Sequence, residues 1–190
     1  MKVLVTGVKG QLGYDVVNEL TKRGIEAVGV DIQDMDITDA ASVEKVIGEV
    51  APDAVIHCAA YTAVDAAEDN VELCRRVNAD GTQNIANVCK KLDCKMIYIS
   101  TDYVFDGTAH TPYTEDCNPC PDSVYGTTKL EGEKEVMNHC EQAVVIRTAW
   151  LYSTFGNNFV KTMIRLGKER DSLGVVFDQI GTPTYANDLA

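Results

Sequence analysis

Apolar positions along this chain follow two rhythms. Short, almost unbroken apolar runs occur at KVLVTG (Lys2–Gly7), AVGVD (Ala27–Asp31), AVIHCAA (Ala54–Ala60), KMIYIST (Lys95–Thr101) and AVVIRTAWLY (Ala143–Tyr152). Runs of this kind suit parallel strands covered on both faces. Between them the spacing predicts helices over Leu12–Arg23, ending at Gly24, over Ala41–Val50 with Thr38 or Asp39 as cap, over Val71–Leu92, and over Val124–Asn138. Alternation of strand and helix predicts an α/β fold: a doubly wound parallel sheet with right-handed crossovers. Met35–Thr38 reads as a small extra strand.

After Tyr152 the pattern changes. GNNFVKTMIRLGKER predicts a helix capped by Asn157 or Asn158, GVVFD (Gly174–Asp178) a further strand, and PTYANDLA the start of a helix. The stretch Asp102–Asp122, with Gly107, Pro112, Pro119 and Pro121, is long for a connection in a compact domain. Such loops are usually functional or mobile.

Composition narrows the function classes. The chain has 190 residues, 45% hydrophobic and 24% charged, with a formal charge of −12. That charge repels phosphate backbones and anionic bilayers, so nucleic acid and membrane are not expected partners. No apolar run approaches the ~18 residues of a membrane span, and the N-terminus lacks a signal-peptide pattern. Seven cysteines without a secretion signal point to reduced thiols and a cytoplasmic location. Cys117 and Cys120 form one C-x-x-C without a second pair, and His57, His110 and His139 are scattered, so no metal site is expected.

The first strand runs into Gly7, Gly10 and Gly13, spaced G-x-x-G-x-x-G, and a helix follows. Glycines there let backbone amides approach a pyrophosphate seated on the helix N-terminus; the alternative is a plain glycine-rich turn. Asp31, at the end of strand two, can accept hydrogen bonds from an adenosine ribose and favours NAD, or it is only a turn residue. Lys9 and Arg23 could each receive a 2′-phosphate, so NADPH and NADH both stay open. Asp36 and Ile37 offer walls for an adenine, and Ala59 and Ala60 are small enough to pass under a cofactor. Ser100 and Thr101 put hydroxyls at the carboxyl edge of strand four. Tyr125 and Lys129, at i and i+4, share one helix face. An ammonium about 5 Å from a phenol, at an effective dielectric of about 20, stabilises phenolate by about 3 kcal/mol. The pair is therefore expected to lower the phenol pKa and supply a general acid.

These motifs together resemble the extended short-chain dehydrogenase/reductase family, and within it the branch that reduces dTDP-4-dehydrorhamnose. The stretches that carry the resemblance run along the whole chain: GxxGQLG at 7–13, DITD at 36–39, AAYTAVDAAE at 59–68, VNADGTQNIA at 77–86, STDYVFDG at 100–107, VYGTTKLEGE at 124–133, RTAWLY at 147–152, GNNFVKTM at 156–163 and DQIGTPTYANDLA at 178–190. The resemblance implies a Rossmann-type domain over 1–152 and, over 153–190, the beginning of a smaller substrate-binding region whose later part is missing. It implies reduction of a sugar C4 ketone by NADPH or NADH, with Thr101, Tyr125 and Lys129 catalytic. Gly7, Gly10, Gln11 and Leu12 would lie at the pyrophosphate, Ala59, Ala60 and Tyr61 would line the cofactor, and Asn78 would order the site. Val64, Tyr103, Val104 and Trp150 fall at substrate positions. The implied partner is a dTDP-sugar, and some members form a homodimer through carboxylates and Mg²⁺. Asp15 stands at the matching position, commonly Glu, so no metal is carried over; Ser153 stands where glycine commonly follows W-x-Y. Rival readings are a nucleotide-sugar epimerase or dehydratase of the same superfamily, and a non-catalytic, cofactor-binding regulatory subunit. Because members are longer, these residues alone are expected to bind NAD(P)H and to reduce the sugar poorly.

Overall fold

A computed structural model describes residues 1–190. Strands β1 (Lys2–Thr6), β2 (Glu26–Val30), β3 (Ala54–His57), β4 (Lys95–Thr101) and β5 (Ala143–Thr148) form one parallel sheet in the order β2-β1-β3-β4-β5. Val3, Leu4 and Val5 of β1 are all buried, which is why that strand reads as an unbroken apolar run. Helix α1 (Gln11–Lys22) packs on one face of the sheet. Helices α2 (Ala40–Val50), α5 (Gly81–Leu92) and α6 (Val124–His139) cover the other, over a core that includes Leu4, Val43, Ile47, Ile85, Met96 and Val136. The chain leaves β1 toward β2 and then returns to the far side of β1 as β3. The strand order thus reverses between β1 and β3, and a crevice opens at their carboxyl ends.

Several boundaries differ from the sequence reading. Met35–Thr38 is a turn rather than a strand. The Asp36 carboxylate accepts the Thr38 N–H at 2.9 Å and its hydroxyl at 2.8 Å, and this local bonding competes with ladder formation. β3 stops at His57 rather than Ala60, because its β1 partner ends at Thr6. The helix expected over Val71–Leu92 is built from α4 (Val71–Arg75), a π-helical turn (Arg76–Asp80) and α5, and a separate short helix, α3 (Val64–Asp69), precedes it. Asn70, at φ −128° and ψ 45°, separates α3 from α4, and the π-turn carries Asn78 into the interior.

The expected strand Ala143–Tyr152 is split as well. Trp150 adopts φ +50°, so β5 ends at Thr148 and Leu151–Tyr152 (β6) pairs instead with Thr184–Tyr185 (β7). Helix α7 (Phe159–Glu169) begins at Asn158, whose side chain caps the Lys161 N–H at 3.0 Å. Gly174–Asp178 forms no strand: Val175, Val176 and Phe177 are exposed and have no ladder partner. The chain ends in α8 (Ala186–Leu189), which returns to pack on α1.

Candidate active site

The glycine loop is shaped by close contacts. Gly7 has φ +70°, and a Cβ on it would lie 2.8 Å from the Ala59 backbone. A Cβ on Gly13 would lie 2.3 Å from the Gly7 carbonyl. Gly10 caps α1 without a side-chain cap, so the amides of the first turn face the crevice unpaired by any capping group. The crevice is a cleft of about 1000 Å³. Gly7, Gly10, Gln11, Leu12, Asp31, Asp36, Ile37, Ala59, Ala60, Tyr61, Val64, Thr101, Tyr103, Tyr125, Lys129 and Trp150 all line it. The hydroxyls of Ser100 and Thr148, at the ends of β4 and β5, are buried without a partner and lie in residues that line the same cleft. Glycines that leave no room for a side chain, a helix N-terminus without a cap, and orphan hydroxyls fit a dinucleotide.

Two expected residues do not reach this cleft. Val104 is fully buried, because the 3₁₀ turn Asp102–Val104 rotates it inward and its carbonyl receives the Cys120 N–H at 2.9 Å. Asn78 is also buried, and it acts through its neighbours. Its Oδ1 accepts the Tyr61 N–H at 2.8 Å, and its Nδ2 donates to the Tyr61 carbonyl and the Thr128 hydroxyl. Asp31 accepts backbone N–H groups of Lys9 and Ile32, each at 2.9 Å, and so shapes the glycine loop. The Lys9 ammonium bonds Gln33 at the rim, whereas Arg23 bonds Glu19 at 2.8 Å on the exposed end of α1, away from the cleft.

Tyr125 sits in the first turn of α6, where Ser123 caps Gly126 at 3.0 Å. A Cβ on Gly126 would lie 2.1 Å from the Tyr103 carbonyl, so this glycine lets the Tyr103 turn press against the helix. The Tyr103 ring meets Tyr125 edge-on at 5.6 Å. The Thr101 hydroxyl donates to Asp102 at 3.0 Å. Lys129, 2% exposed, donates to the Ile99 carbonyl at 2.6 Å and lies 4.1 Å from the Tyr98 ring centroid.

The electrostatics correct one expectation. Burial pushes the Tyr125 phenol up to about 12, against a downward pull from the Thr101 hydroxyl. Burial also brings Lys129 down to about 7, with Glu133 opposing. Burial outweighs any lowering by Lys129, whose ammonium is turned to Ile99 and Tyr98, so the net shift runs opposite to the one the spacing suggested. Tyr125 therefore carries its proton at neutral pH, the state a proton donor needs.

A buried relay supports the floor of the cleft. The Ala59 N–H donates to Thr6 Oγ1 at 3.1 Å, and Thr6 Oγ1 lies 2.8 Å from His57 Nδ1. His57 Nε2 lies 3.1 Å from Thr82 Oγ1, which donates to the Asn78 carbonyl at 2.7 Å. That hydroxyl's proton is committed, so Nε2 carries the imidazole proton and Nδ1 accepts from Thr6. Burial brings His57 down to about 3 and keeps it neutral. Sequence reasoning weighs His57 only as a metal ligand, and nothing in the local sequence shows the relay. Asp102, Thr148, Gly156 and Asn157 also line the cleft. The first two could be found from their places at strand ends; the last two fall in GNNFVKTM, whose local signal is a helix cap rather than a cleft. Ser153 donates to Asp15 at 2.7 Å, Asn158 to Gln11 at 3.0 Å, and Phe155 stacks on Tyr14 at 4.0 Å. These contacts seat the 153–158 segment on α1.

Comparison with known proteins gives consistent matches. The sequence model described as the RmlD substrate binding domain matches residues 1–190. A dTDP-4-dehydrorhamnose reductase from Aggregatibacter actinomycetemcomitans is 42% identical over 190 residues, which is 100% of this chain and 65% of that protein. A crystal structure of a dTDP-4-dehydrorhamnose reductase from Clostridium acetobutylicum superimposes with a TM-score of 0.97 at 48% identity, covering 100% of this chain and 67% of that one. The dTDP-4-dehydrorhamnose reductase from Bacillus anthracis in complex with NADP superimposes with a TM-score of 0.96 at 46% identity, covering 100% and 68%. The chain thus spans about two thirds of the length of the relatives it matches.

Proposed function

The chain belongs to the RmlD substrate binding domain family, and from that membership we propose that it is the cofactor-binding portion of a dTDP-4-dehydrorhamnose reductase. The protein would reduce the C4 ketone of dTDP-4-dehydro-L-rhamnose to dTDP-L-rhamnose with NADPH or NADH. Residues 1–152 form the nucleotide-binding part in this reading, and 153–190 begin the substrate-binding part. One observation carries it: a buried tyrosine that keeps its proton at neutral pH stands beside Thr101, in a cleft floored by a glycine loop.

Gly7, Gly10, Gln11 and Leu12 would hold the pyrophosphate, Asp31, Asp36 and Ile37 the adenosine end, and Ala59, Ala60 and Tyr61 the middle. A bound reduced nicotinamide supplies the hydride. Thr101 turns its hydroxyl from Asp102 to the substrate carbonyl and holds it. Tyr125 then gives its proton to the oxygen that becomes the C4 hydroxyl, and solvent restores the phenol. Lys129, as an ammonium, orients the site and eases the charge left on Tyr125. Val64, Tyr103 and Trp150 line the side where the sugar nucleotide would lie. No helix is long and apolar enough to cross a membrane. We assign the protein to the cytoplasm, where its cysteines, none of them in a disulfide, stay reduced.

The test begins with calorimetry of NADPH against this chain, where binding is expected. Loss of NADPH absorbance on adding dTDP-4-dehydrorhamnose is then expected, slow for residues 1–190 alone, and only with the sugar present. A tightly held nicotinamide that turns a sugar over without net oxidation would replace this reading with an epimerase or dehydratase.

A further inference from the structure

One turn beyond Lys129 on the same face of α6 lies Glu133, only 5% exposed. Its carboxylate is used by none of the steps above. Arg147 of β5 grips it with two bonds, Nε to Oε1 at 2.9 Å and Nη2 to Oε2 at 2.7 Å. The guanidinium lies over the Phe105 ring, 5.1 Å from its centroid. Phe105 stacks on Tyr113 at 4.3 Å, and the Tyr113 hydroxyl donates to Asp106 at 2.8 Å. A continuous set of contacts therefore runs from the helix bearing Tyr125 and Lys129 to the loop bearing Tyr103.

Stability alone does not explain a charged pair in this place. Replacing a buried ion pair with packed apolar side chains is often neutral or stabilising. The surroundings of Lys129 suggest another use for the charge. Tyr98 faces it from β4, His57 and Cys58 from β3 and its end, and Cys74 from α4. His57, Cys58, Tyr98 and Tyr125 are all held neutral by burial at pH 7. Asp102 acts on Tyr125. Glu133 is the one carboxylate acting on Lys129, and Arg147 is the one cation bonded to Glu133.

We infer that Glu133, gripped by Arg147, is a positioning residue that acts through Lys129. It keeps the ammonium charged from one helical turn away and fixes its helix against the substrate-side loop. The inference rests on the reading that the Lys129 ammonium assists Tyr125.

The experiment follows the Lys129 titration by NMR in the ligand-free chain carrying ¹³Cε-labelled lysine, with Lys129→Met to assign the signal. Glu133→Gln keeps the side-chain shape, removes the negative charge and leaves the Arg147 charge unmatched. The Lys129 midpoint is expected to fall by about one pH unit or more. Glu133→Leu combined with Arg147→Met removes both charges and packs the space, and its midpoint should fall less than that of Glu133→Gln. In the NADPH-dependent reduction, the alkaline fall of kcat/KM should move the same way, lowering the ratio of rates at pH 8 and pH 6 by about fivefold or more in Glu133→Gln. Unmoved midpoints, with activity scaled down equally at every pH, would reduce the pair to a structural tie and overturn the inference. A moved midpoint with an unmoved rate profile would keep the link between Glu133 and Lys129 but overturn the reading on which the inference rests, that Lys129 assists Tyr125, and with it the positioning role. If Glu133→Gln does not fold, the double variant decides against wild type: a lowered midpoint upholds the inference, and an unmoved one overturns it.

Discussion

Helices α6 and α7 each follow a strand and each carry a capped N-terminus, yet they are held in opposite ways. α6 buries Tyr125, Gly126, Thr128, Lys129, Gly132, Glu133 and Val136, a face that is mostly polar or small. α7 buries nothing, although Phe159, Val160 and Ile164 give it an apolar stripe, with Ile164 56% exposed. Hydrophobic patterning therefore ranks the two wrongly. Lys129 and Glu133 are buried because Ile99, Tyr98 and Arg147 satisfy them, and Gly126 and Gly132 are there because neighbouring backbone and the Tyr98 hydroxyl leave no room for a Cβ. The cleft side of this molecule is fitted atom against atom. The α7 side is tied down by a few local bonds, such as Lys161 to the Gly156 carbonyl at 2.7 Å.

The largest test of that contrast is one substitution made twice. Gly13→Ala would drive a methyl to 2.3 Å from the Gly7 carbonyl, so the loop must move. NADPH affinity measured by calorimetry should fall at least about a hundredfold, or ~2.7 kcal/mol. Gly167→Ala, in α7 with nothing within 4 Å, should instead raise stability by about 0.5–1 kcal/mol. If both variants behave alike, the contrast fails.

Lys129→Met sharpens the comparison through pH. The folded pKa of Lys129, about 7, lies below its unfolded value, so the unfolded chain holds more protons between the two. Burial of this lysine therefore costs stability in full below about pH 7, and the cost fades as pH rises toward that of a free lysine. The variant should melt higher than wild type, by more at pH 6 than at pH 10. A gap that widens with pH would contradict the burial argument. On a smaller scale, Val136→Ala should cost about 2 kcal/mol in a denaturant titration, and Ile164→Ala less than about 0.5 kcal/mol. Equal costs would mean that the α7 stripe is covered.

Much of this is legible in the sequence, for identifiable reasons. The five sheet strands and α1, α2 and α6 follow from apolar runs and from punctuation such as Gly24, which takes φ +70° after α1. The glycine loop and the i, i+4 pair of Tyr125 and Lys129 can be read because each rests on local geometry. What stays hidden depends on distant partners. Asn78 reaches Tyr61 only because a π-turn rotates it inward, and no local propensity encodes that turn. Trp150 breaks β5 with a left-handed backbone that its residue type disfavours. The spacing of Tyr125 and Lys129 points the phenol shift in the wrong direction. It gives a distance along a helix, while burial and the Ile99 carbonyl decide where the lysine points.

The central claim is that Tyr125 is the proton donor of a NAD(P)H-dependent reduction. The most direct measurement compares wild type with Tyr125→Phe in NADPH binding and in dTDP-4-dehydrorhamnose reduction on the same preparations. The account predicts unchanged cofactor affinity with turnover lower by roughly 10²–10⁴. Turnover within a few-fold of wild type, from a variant that binds NADPH normally, would contradict it.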